Sequence, residues 1–190
     1  NGKLGLNGTL FTLNGAITFP ATVSNGAIVG SLTSSLTIAG TGAITNSMLM
    51  DQGTAASRSL YDALLSRTGQ TLSIGNLLEI RNSIRPSAGT IVTNSFVTLK
   101  ADATRSGMVG NVTGAMSGSI RVETYAPGGY TGWVNLGPSG VTGLTLANWE
   151  SQIFMTCSGC PNGTNSAGGF ASVLGYNEAL SGAASYVPLT

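Results

Sequence analysis

The chain has no histidine and only two cysteines, and charged residues make up 8% of it. Each shortage excludes a class of function. Without histidine there is no base for a Ser-His-Asp or Cys-His arrangement, and no imidazole ligand for a metal. Two cysteines alone cannot complete a four-ligand zinc site. Two lysines, at 3 and 100, and six scattered arginines leave no basic cluster to neutralise phosphates, so nucleic acid is not an expected partner. No apolar run reaches the length of a membrane span. The chain opens at Asn1 without a methionine and reads as a mature or internal piece of a longer protein.

What replaces charge is glycine, threonine, serine and asparagine, with 28 glycines among 190 residues. With 42% hydrophobic residues and a net charge of +1, the composition is that of a folded chain. From Leu4 to Met50 there is no charged residue at all. Short runs alternate apolar and polar side chains at Leu4–Leu6, Leu10–Leu13, Ile17–Phe19, Leu36–Ile38, Leu72–Ile74, Leu78–Ile80, Ile91–Thr93 and Val97–Leu99. Asn-Gly pairs at 7–8, 14–15 and 25–26 punctuate them. Strands of three to five residues with frequent corners fit a sandwich or a solenoid. A β-solenoid is the expected fold, with roughly twenty residues per coil. Leu, Ile and Val would stack inside it, and Thr, Ser and Asn would lie outside.

Two segments resist a simple reading. Residues 54–67 (TAASRSLYDALLSR) carry helix-favouring Ala and Leu, with Leu60 and Leu64 four apart, yet 60–65 also read as a strand. After about Gly107 the chain becomes glycine-rich, then rich in aromatics. The expected organisation is a solenoid over 1–110 and a smaller β-rich unit over 111–190, with a short helix near 144–154 capped by Asn148.

The residues able to do chemistry are few. Asp51, Asp62, Glu79, Asp102, Glu123, Glu150 and Glu178 are the only acids, and they are spread too thinly to suggest the paired carboxylates of glycoside hydrolysis or a calcium loop. Each is expected to be solvated or in a turn. Gly40-Thr41-Gly42 lacks the Lys-Ser/Thr of a phosphate loop. No cofactor is implied. Trp133 and Trp149, with Tyr125 and Tyr130, are candidates for a sugar-stacking platform, against the alternative of core packing. Cys157 and Cys160, in Cys157-Ser158-Gly159-Cys160-Pro161, are read as a loop disulfide or as two reduced thiols. The disulfide would imply an oxidising compartment.

Several motifs occur in a telling order. Met48-Leu49-Met50-Asp51-Gln52 is followed by Leu60 to Arg67-Thr68-Gly69, then Leu72-Ser73-Ile74-Gly75-Asn76-Leu77, Ser87-Ala88-Gly89-Thr90 and Val97-Thr98-Leu99-Lys100-Ala101-Asp102-Ala103-Thr104. Val122-Glu123-Thr124-Tyr125-Ala126-Pro127, Trp133, Gly143 to Trp149 and Tyr176-Asn177-Glu178 come after. Over residues 46 to 180 this succession resembles the large repetitive surface proteins of Bacteroidetes. The resemblance implies export by the type IX route and an adhesive or structural role at the cell surface. It also implies a strand at 60–66. The expected function is a non-catalytic module of an extracellular fibre or adhesin, or a filament protomer that joins end to end through its solenoid edges. Its expected partners are other copies of itself, adjacent repeats of a longer chain, or surface glycans. A glycan-binding module, and less so a polysaccharide-active enzyme, are the alternatives.

Overall fold

The computed structural model describes residues 2–125, 174–176, 179–180, 182 and 186–188. The chain divides into two compact units, Asn1–Gly140 and Val141–Thr190. Among the described residues no helix is long and apolar enough to cross a membrane. The expected helix near 144–154 lies outside the described residues.

The described residues of the first unit are all β apart from a three-residue 3-10 turn at Val23–Asn25. Its strands are β1 (Gly2–Gly5), β2 (Leu10–Leu13), β3 (Ile17–Thr18), β4 (Gly26–Val29), β5 (Ser35–Ile38), β6 (Ile44–Thr45), β7 (Ser59–Ser73), β8 (Leu78–Val92), β9 (Val97–Leu99), β10 (Met108–Val109), β11 (Ala115–Ser117) and β12 (Ile120–Val122). Every pairing between these strands is parallel. Strands that neighbour each other in space are one circuit apart in sequence, which makes the unit a β-solenoid of about five turns, as expected. β10 pairs with β8, and the ladder continues past residue 110, because β11 also pairs with β8 and β12 pairs with β9. In the second unit β13 (Leu174–Tyr176) and β14 (Tyr186–Pro188) pair antiparallel.

The coils are less uniform than the sequence suggests. The step between paired residues is 27 from Ser35 to Asp62 (62 − 35) and 19 from Ser73 to Val92 (92 − 73). Strand length also departs from the three to five residues expected: β7 and β8 are 15 residues each. They run through their corners instead of stopping there. Gly69 and Gly89, both at positive φ, make the bends, and the register shifts between Leu60 and Asp62, Leu65 and Ser66, and Ser66 and Thr71.

Residues 59–73 form a strand, and only 54–58 form turns. The Ala and Leu of this segment favour a helix, but tertiary context wins. β7 lies between β5 and β8 and finds hydrogen-bonding partners on both sides.

The interior is a set of aliphatic columns. Leu36, Ala63 and Ile84 stack in register, as do Ile38 and Leu65, and Leu60, Ile80 and Leu99, all buried. Burying each large aliphatic side chain contributes about 1.5–3 kcal/mol. Thr37 and Leu64, one residue over, turn outward and are half-buried. A void of about 10 Å³ remains among Leu36, Ile38, Met48, Ala63, Leu72 and Ile84. It is apolar and no larger than one water, so this part of the interior has no room for a ligand.

Candidate functional site

Most of the sequence candidates lie outside the described residues. Trp133, Trp149, Tyr130, Cys157 and Cys160 lie outside the described residues. Tyr125 is described and is 44% exposed, three residues beyond the end of β12.

Two of the seven acids, Glu150 and Glu178, also lie outside the described residues. The other five are held by neighbours, four of them by residues of another coil. Lys3 Nζ lies 2.6 Å from Asp51 Oδ1, and this hydrogen bond is the chief reason the Asp51 carboxyl is held below the usual carboxylate range. Asp62 Oδ1 accepts from Asn82 Nδ2 and Ser83 Oγ in the next coil, at 2.9 and 2.5 Å. Glu79 accepts from Arg58 Nε at 2.9 Å and Ser59 Oγ at 3.3 Å, with Arg81 Nη2 3.7 Å away. Glu123 receives Lys100 Nζ at 2.6 Å. Asp102 alone makes the expected turn: its Oδ1 accepts from the Thr104 hydroxyl and the backbone N–H groups of Thr104 and Arg105, which lowers its pKa. The expectation of solvated acids fails at Asp51 and Glu79, which are buried. A buried carboxylate persists only where donors surround it, and the adjacent coils supply them.

Arg67 is a further buried charge, one whose burial no sequence motif marks. It is 1% exposed, the largest fully buried side chain among the described residues. Its guanidinium reaches backward across two coils: Nε donates to Ala39 O at 3.0 Å, Nη1 to Gly42 O at 3.2 Å and Nη2 to Leu13 O at 3.2 Å, with a second contact from Nη2 to Ala39 O. Five donors on a rigid plane suit a corner crowded with carbonyls. Nothing near residue 67 in the sequence signals this, because its partners lie 25 to 54 residues away. A looser tie joins Arg105 to the Tyr61 ring, with the guanidinium carbon 5.3 Å from the ring centroid.

The remaining feature is the outer edge of the first coil. There, among the described residues, β1 pairs only with β4, β2 only with β5, and β3 only with β6. Leu10 is 67% exposed and Leu4 40% exposed. Phe11 and Leu13, which begin the inner columns, are half-buried, while the residues stacked beneath them, Leu36 and Ile38, are fully covered. Leu6, Ile17 and Phe19 of the same coil are buried. Comparison of the chain with protein-family models, with curated proteins and with solved structures finds no match.

Proposed function

We propose that this chain is a non-catalytic structural module of an extracellular fibre or adhesin, a length of β-solenoid whose task is mechanical. One observation carries the reading: four of the eight basic side chains, and four of the five described acids, join one coil to another. Lys3, Arg58, Arg67 and Lys100 each tie their own coil to another through a carboxylate or a carbonyl. Such cross-ties, added to the backbone ladders and the aliphatic columns, resist sliding of one coil over the next. The motif order over residues 46 to 180 supports a bacterial cell-surface setting.

The test is force spectroscopy on the purified chain held by its two ends. A structural module is expected to resist and then open in one or two cooperative events. Gradual extension at the low forces of an unstructured chain would refute the mechanical role. Antibody labelling of intact cells of the source organism checks the location, and signal only after cell lysis would count against it.

A further inference from the structure

We propose that Asn14 is a site of spontaneous covalent modification: its side-chain amide is lost as ammonia, and an aspartate or isoaspartate takes its place. The fold leaves this asparagine open to the reaction and holds its described counterparts. The reaction needs nothing but water, and it is independent of the mechanical role proposed above.

The chemistry belongs to Asn-Gly pairs. The backbone nitrogen of the glycine attacks the asparagine Cγ. A new N–C bond closes a five-membered succinimide ring, the Cγ–Nδ2 bond breaks, and Nδ2 leaves as ammonia with the proton of the former N–H. Water then opens the ring at one of its two carbonyls. Its hydroxyl goes to the carbonyl carbon and its proton to the ring nitrogen. The product is aspartate, or isoaspartate where the main chain now runs through the side-chain carbon. Glycine is the favoured second residue because it has no Cβ to crowd the attack and its backbone turns freely. Two conditions follow. The glycine N–H must not be tied up as a donor, and the pair must be free to rotate into the ring geometry.

Asn-Gly pairs stand at 1–2, 7–8, 14–15, 25–26 and 162–163. Both residues are described at 7–8, 14–15 and 25–26. At 7–8 the nitrogen is occupied, because Gly8 N donates to Ser34 Oγ at 2.9 Å. Asn7 is also fixed at a positive φ of 50°, in a turn that Thr9 N closes on Leu6 O at 3.1 Å. At 25–26 the nitrogen is occupied again. Asn25 ends the 3-10 turn, and Gly26 N donates to Val23 O. Gly26 is buried and begins β4, where it pairs with Gly2.

At 14–15 neither condition is blocked. Asn14, Gly15 and Ala16 form the corner between β2 and β3, and all three are exposed. Among the described residues nothing hydrogen-bonds to the Asn14 side chain or to the Gly15 N–H. This exposure belongs to the corner and not to the coil's place in the stack. Leu13 lies on Ile38, so the same corner in the second coil is Ala39-Gly40. That coil has a neighbour on each side, through β2 and β7. Gly40 is exposed there all the same, and among the described residues its N–H has no partner either.

The product alters a sensitive place. Residues 4–50 contain no charge, and a carboxylate at 14 would be the first. The isoaspartate link also adds a bond to the main chain beside Leu13, whose carbonyl accepts from Ala39 N and Arg67 Nη2.

The test follows the full chain in mildly alkaline buffer, once folded and once in concentrated urea. Peptide mass spectrometry reads each Asn-Gly pair as the mass gain of an amide-to-acid exchange. In the folded chain Asn14 is expected to convert at least about tenfold faster than Asn7 or Asn25, since each of those pairs must first give up a hydrogen bond. In urea the three rates are expected to converge, because those bonds are gone. The proposal is overturned if Asn7 or Asn25 keeps pace with Asn14 in the folded chain, if folding slows all three alike, or if Asn14 leads by the same factor in urea. Gly15→Ala tests the nucleophile. Its added methyl crowds the attacking nitrogen, so conversion at Asn14 is expected to fall several-fold while the thermal midpoint is kept. Unchanged conversion in Gly15→Ala would overturn the proposed attack.

Discussion

Arg67 Nε donates to the carbonyl oxygen of Ala39 at 3.0 Å, across a sequence gap of 28 residues. The same guanidinium reaches Leu13 in the coil before that. A buried cation would ordinarily require a carboxylate. Here carbonyl dipoles from two successive corners surround it, and among the described residues no carboxylate pairs with it. The corner carbonyls gain donors that their own coils do not provide, and three coils are fixed to one rigid plane.

Replacing Arg67 should therefore loosen three coils at once. Arg67→Met is expected to cost about 3 kcal/mol, since it strips donors from a buried polar corner. Arg67→Lys should recover little of this, because one ammonium cannot span the three carbonyl positions. Urea unfolding followed by circular dichroism gives both values. Equal stability of Arg67→Lys and wild type would show that charge alone matters there.

Gly30 tests how closely the coils approach. A Cβ there would lie 2.0 Å from Ser59 O in the next coil, and the φ of Gly30 is not positive. The whole effect of Gly30→Ala must then come from pushing the coils apart. A loss of about 3 kcal/mol is expected. Gly15→Ala, which meets no neighbouring atom, should change stability by less than about 0.5 kcal/mol. Thermal unfolding of the pair would reveal an error if the two variants behaved alike.

The difference between these glycines shows where sequence reading stops. The strands at Leu10–Leu13 and Val97–Leu99 are legible because apolar and polar residues alternate between turn signals. Gly26–Val29 is not, since three of its four residues are buried and leave no alternation to read. The long strands β7 and β8 look like separate short ones, because a glycine at a bend and a glycine at a strand end have the same local signature. Glu79 and Arg67 give no local sign of burial, because their partners are set by a coil step that varies from 19 to 27 residues. No fixed period brings these pairs together in the sequence.

Acid should weaken the stack through Asp51 and Asp102. Both carboxyls titrate below the ordinary value of 3.8 in the folded chain, Asp51 chiefly through Lys3 and Asp102 chiefly through the Thr104 hydroxyl. A depressed carboxyl stabilises the fold fully above its unfolded value, and that contribution is lost as pH falls through the lower folded one. The thermal midpoint is expected to hold from pH 7 to about 4.5 and to fall below 3.8. For Lys3→Met the deficit relative to wild type should be visible at pH 6 and should shrink on acidification. A deficit that stayed constant down to pH 2 would assign the Lys3 effect to packing.

Asn76 offers the sharpest single-atom test. Its side-chain amide mimics a strand residue: Met50 N donates to Asn76 Oδ1 at 2.8 Å, and Asn76 Nδ2 donates to Met50 O at 2.8 Å. Met50 is fully buried, and its carbonyl also accepts from Gln52 Nε2 at 3.1 Å. Asn76→Asp has nearly the same shape and keeps the acceptor, but it turns the donor into a second acceptor facing a carbonyl. A loss of about 2 kcal/mol at pH 7 is expected. It should ease as pH falls and the carboxyl takes up a proton, because a protonated Asp can again donate to Met50 O. The stability difference between Asn76→Asp and wild type, followed from pH 7 to pH 4, decides the point. If the difference does not change with pH, the amide acts through its shape and not through its donor.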